Sequence, residues 1–219
     1  MEALERYAVS QDWITLLLLL VFVILVITKY AFPQRFSDFV MLFATDKYLL
    51  LKGRKPSIFH PFNLLLFAVN VISVTLFIYL IYKTAVSDTI NRPKILFLRL
   101  ATAYTAFVLF KFAVEKILAN ILSVDKKMNY YLFYKLSYRN FMALILLPVS
   151  MAFVYIWEPT LTALFIFLGI TVVMNFITIA SIYKKNQQYI ISHWFYFILY
   201  LCALEIGPYF ILYKLFTNL

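Results

Sequence analysis

The chain has 219 residues, of which 64% are hydrophobic, 20% aromatic and only 14% charged, with a mean hydropathy of +0.88. Water-soluble domains are about a quarter charged and about half apolar, so a soluble domain, a disordered tail and a collagen-like fibre are all excluded. The net charge of +10 is what basic residues at the cytoplasmic ends of membrane helices produce, and it does not point to nucleic acid.

The opening Met1-Glu2-Ala3-Leu4-Glu5-Arg6 is too acidic for a signal-peptide n-region, and no small-residue cleavage site follows the first apolar stretch. That stretch is read as retained. A helix rises about 1.5 Å per residue, so a hydrocarbon core of about 30 Å needs roughly 20 mostly apolar residues. Six stretches approach this length, near 13–31, 62–82, 95–122, 141–157, 161–183 and 194–216. The second carries no charge, whereas the third contains Arg99, Lys111, Glu115 and Lys116. Pro148 should kink the fourth by leaving the Leu144 carbonyl without its helical donor, and Pro208 does the same for Leu204 in the sixth. The chain is therefore expected to be all-α: one polytopic membrane domain of about six transmembrane helices over 1–219.

Two connections read as interfacial helices. Within 33–52, Phe36, Phe39, Val40 and Phe43 recur on one helical face, with Gln34, Arg35, Ser37 and Asp38 as the polar side. Within 128–139, Tyr130, Tyr131, Tyr134 and Tyr138 are mixed with Lys135 and Arg139. Aromatic rings with polar tips favour the headgroup zone, and basic neighbours favour anionic lipid at the cytoplasmic face. Such helices cushion the bundle or form a docking surface for a membrane-protein partner. Thirteen of the basic residues lie in the three segments assigned to one side and five lie on the other. The positive-inside rule then places both termini outside the cytoplasm.

Ionisable groups at depth are costly and are the default candidates for function. On the third span Tyr104, Lys111 and Glu115 fall within about 40° of one another, and Lys111 with Glu115 forms an i, i+4 pair of opposite charge. Arg99 faces elsewhere, near the helix end, where it can snorkel. Glu205 lies roughly 16 Å from either end of the sixth span, beside the carbonyl that Pro208 frees. It is read either as a protonatable relay or ion ligand, countered by Lys111 or Arg99, or as a packing pair that fixes helix positions. Asn70 and Ser73 share a face of the second span, and Thr171, Asn175 and Thr178 share one of the fifth. Small polar residues in these patterns provide interhelical hydrogen bonds.

Chemistry is otherwise poorly represented. Cys202 is the single cysteine, and the three glycines, Gly53, Gly169 and Gly207, are too scattered for a phosphate-cradling loop. His60 and His193 each precede a span without nearby carboxylate or thiol ligands, so neither metal nor haem is expected. No nucleophile–base arrangement is legible, and no enzymatic activity or cofactor is expected.

The run Tyr200-Leu201-Cys202-Ala203-Leu204-Glu205-Ile206-Gly207-Pro208 resembles the C-terminal signature of Bacteroidota integral-membrane proteins grouped as domain of unknown function four-two-seven-one. The stretch Met128 to Arg139 and the Asp12-Trp13 opening are also similar. The resemblance implies a multi-span helical fold in the inner membrane of a Gram-negative envelope, with Glu205 and Pro208 on signature positions. It implies no activity. The residues support two functional expectations. One is a non-enzymatic membrane subunit or assembly factor of a larger envelope complex, or a homo-oligomer. The other is a small proton- or cation-coupled transporter centred on Glu205 and the polar face of the third span.

Overall fold

The computed structural model describes residues 12–43, 58–86, 92–121, 125–157 and 159–185. Among these the chain is all-helical. The elements are α1 (Asp12–Ala31), α2 (Pro33–Val40) with a tighter 3-10 turn at Met41–Phe43, α3 (Pro61–Val86), α4 (Pro93–Ile121), α5 (Asp125–Tyr155) and α6 (Leu161–Lys185). Proline opens α2, α3 and α4, because its missing N–H costs nothing in the first turn and its fixed φ suits a helix start. Four helices, α1, α3, α4 and α5, are long and apolar enough to cross a membrane. The sixth expected span, 194–216, lies outside the described residues.

Helix α3 is the hub, in contact with α1, α4, α5 and α6. Its apolar residues run all round it, and each face meets a different neighbour, the pattern expected of a central helix. At one end Phe62 and Leu66 of α3 pack with Phe133, Tyr134 and Phe141 of α5 and with Phe39 and Leu42. Midway, Val69 meets Val21 of α1 and Leu147 of α5. At the far end Leu76 and Tyr79 join Ile14 and Leu18 of α1 and Phe97 of α4, with Trp13 edge-on to Tyr79 and Phe97 at 5.2 and 5.6 Å. Leu164 of α6 closes a last cluster with Phe77, Leu80, Leu146 and Phe153.

Two sequence expectations are revised. The stretches 128–139 and 141–157, expected as an interfacial helix and a separate span, are one helix of 31 residues running on through Pro148. No Gly or Pro stands between Asp125 and Leu147, so nothing in the backbone separates the polar from the apolar half. The helix expected across 33–52 turns into a 3-10 turn after Val40, and 44–52 lie outside the described residues. Part of its apolar face enters the bundle: Phe39 is buried and stacks edge-on against Phe62 and Phe141, at 5.8 and 6.0 Å, whereas Val40 is exposed. An amphipathic stripe reports only that one face leaves water, and here protein receives Phe39.

Candidate functional site

Three helices meet along one seam. Phe67 and Asn70 come from α3, Tyr104 and Glu115 from α4, and Tyr131, Lys135 and Arg139 from α5. Asn70 is fully buried. Its Nδ2 donates to the Arg139 carbonyl at 3.0 Å, and its Oδ1 accepts from the Tyr104 hydroxyl at 2.9 Å. One amide therefore ties α3 to both α4 and α5. The Arg139 carbonyl lies within a continuing helix, so the amide engages the second lone pair that helical bonding leaves over.

About 16 Å along α4 from Tyr104, at helical rise, Glu115 is 2% exposed and accepts from Lys135 Nζ at 2.6 Å. The ammonium also lies 5.6 Å from the centroid of the Tyr131 ring, and the Arg139 guanidinium stands 5.5 Å from that of Phe67. Carboxylate and ring faces together compensate cations drawn from water. Lys116 donates to Asn129 Oδ1 beside this pair. The α4–α5 contact is thus charged at one end and tied through Asn70 further in.

The structure brings together three of the residues marked on the sequence, Tyr104, Lys111 and Glu115, on one side of α4, with Lys111 half-buried. Glu115 forms an ion pair with Lys135, a partner on a second helix that the spacing of Lys111 to Glu115 does not reveal. Lys135 was missed because it sits among tyrosines that read as interfacial; the lack of a helix breaker after it was the available signal. Arg99 is exposed on α4, outside the seam. Glu205 and Pro208 lie outside the described residues, as do His193 and the side chains of Asn175 and Thr178. Thr171 donates back to the Phe167 carbonyl at 2.8 Å. Buried Ser73 Oγ, Thr75 Oγ1 and Asn140 Oδ1 have no hydrogen-bond partner among the described residues.

His60 serves a local purpose. Its Nδ1 accepts from the Phe62 N–H at 3.2 Å, satisfying one of the free donors at the start of α3, while its ring meets Phe32 edge-on at 5.1 Å. Asn63 adds a bond from Nδ2 to the Ile58 carbonyl at 3.2 Å. Among the described residues no three His, Cys, Asp or Glu side chains gather as a metal site. Chemically, the seam is an interhelical clamp. Bonds of this kind contribute about 0.6 kcal/mol each in membrane proteins, and the ion pair makes removal of either partner costly.

No curated protein and no solved structure matches the chain. The family model described as Domain of unknown function (DUF4271) matches residues 14–216, a stretch that takes in all but the first two residues of α1, the whole of α2 to α6, and the clamp between α3, α4 and α5. The chain is a member of that family.

Proposed function

We propose that the chain is a non-enzymatic integral subunit or assembly factor of a larger envelope complex. Its setting in this reading is the inner membrane of a Bacteroidota cell, with both termini outside the cytoplasm and basic cytoplasmic segments against anionic lipid. The observation that supports it is the direction of the seam's bonds. The Asn70 amide, the Tyr104 hydroxyl, the Glu115 carboxylate and the Lys135 ammonium each bond to a neighbouring helix. Such bonds hold a framework together. The outer faces are left for recognition, and of the four spans α1 and α4 are the least covered among the described residues, with 22% and 11% of their hydrophobic windows buried.

Affinity purification of the tagged full chain in mild detergent tests the proposal. A partner recovered in stoichiometric amount supports it; recovery of the chain alone overturns it. Glu205→Gln separates the other reading. Normal abundance with loss of the cellular phenotype would favour proton- or cation-coupled transport, because the amide keeps the shape and removes the ionisable group.

A further inference from the structure

At the end of the bundle where α1 begins and α3 and α5 finish, a half-open cleft of about 320 Å³ lies between the helices. That volume falls within the range of small-molecule sites, ~300–1,000 Å³. Its apolar wall includes Ile14, Leu80 and Phe153, all buried core residues. Its polar side chains are Lys83, Tyr155 and Trp157. Each has a hydrogen to donate, and Lys and Trp have no lone pair to offer in return. Tyr155 is steadied by a 2.7 Å bond to Thr15 on α1. Lys83 lies in the last turn of α3, a position that attracts cations to the free carbonyls and holds the charge near the helix end.

The surroundings of this cleft have the composition of a lipid–water boundary. Tyr155, Ile156 and Trp157 form a run of large side chains, 52%, 72% and 64% exposed, at the end of α5 and just beyond it. Aromatic residues in such a position mark the headgroup level. Beside them, α1 exposes Leu16, Leu19 and Leu20, an apolar surface leading away from the cleft along the direction an acyl chain would take.

We propose that this cleft is a binding site for an anionic phospholipid. The phosphate group accepts from Lys83 and Trp157, and one acyl chain lies along the apolar wall and α1. The Lys83 charge selects an anionic headgroup, and the apolar wall of Ile14, Leu80 and Phe153 selects a lipid over a free anion. This site is at the opposite end of the bundle from the Glu115–Lys135 pair and does not depend on the subunit proposal.

The test uses the purified full chain in nanodiscs of neutral phosphatidylcholine, with or without phosphatidylglycerol, read by melting temperature and by lipid adducts in native mass spectrometry. Wild type should melt higher with phosphatidylglycerol and retain it over phosphatidylcholine by about fivefold, the ratio one basic residue near a membrane surface provides. Lys83→Gln should lose that preference, whereas Lys94→Gln, at an exposed basic residue on α4, should keep it. Equal preference in Lys83→Gln and wild type overturns the proposal. So does a wild type indifferent to the headgroup, a result that stands even if Lys83→Gln does not fold. Inorganic phosphate added to neutral discs should change nothing; a rise in melting temperature there would show a free-anion site and overturn the lipid assignment.

Discussion

Helices α3 and α4 are of similar length and both are apolar enough to span a membrane, yet the bundle uses them differently. Half of the hydrophobic window of α3 is buried, against 11% of that of α4. Helix α3 is held by four neighbouring helices and contributes Asn70 at the centre. Helix α4 is held along one edge, where Tyr104, Val108 and Glu115 face inward, while Leu109 and Phe110 are exposed. Without water to drive apolar surfaces together, a peripheral helix depends on packing and a few polar bonds for its position. The clamp therefore matters most for α4, which is held by it at one end and by the Phe97 cluster at the other.

Four substitutions probe this contrast, from the largest expected effect to the smallest. Glu115→Ala leaves the Lys135 ammonium without its carboxylate, and breaking a buried pair costs about 3 kcal/mol or more. A large fall in detergent melting temperature is expected, with partial recovery in Glu115→Gln paired with Lys135→Met. A single-variant melting temperature equal to wild type would show that the pair does not hold α4. Asn70→Ala removes two interhelical bonds and opens a small cavity, for a loss of about 2 kcal/mol. Because Asn70 ties α4 to α5 through α3, cysteine crosslinking between α4 and α5 should also weaken. If crosslinking is unchanged, the amide is a local feature of α3.

Tyr104→Phe removes the hydroxyl donated to Asn70 and leaves that buried amide oxygen without its donor, so about 1 kcal/mol is the expected cost. A loss several times larger would reveal a further partner for that hydroxyl. Leu109→Ala combined with Phe110→Ala alters the exposed side of α4 and should move the melting temperature of the isolated chain by less than about 0.5 kcal/mol equivalent. The same double variant should reduce recovery of a partner if α4 presents the interface. Full recovery would move the interface to another face.

Much of the architecture was legible in composition and run length. Proline at the starts of α2, α3 and α4 and long apolar stretches announce helices, since only internally hydrogen-bonded segments cross lipid. The inward side of α4 was legible from helical spacing, which groups Tyr104, Lys111 and Glu115. Helical spacing says nothing about the partner helix, so Lys135 was assigned to an interfacial segment. Phe36 and Phe39 showed the same limit: their stripe identified a face to be hidden, and the structure supplies Phe62 and Phe141 as what hides it.

The sequence by itself determined that lipid is the solvent and that helices are the building unit, because the length of an apolar run and the demand for internal backbone bonding are local properties. Only the tertiary structure decided that α3 is the hub, that Glu115 pairs with Lys135, and that Asn70 joins three helices. Those outcomes depend on which side chains meet across residues distant in the chain, a matter of shape and complementary charge that apolar content does not encode.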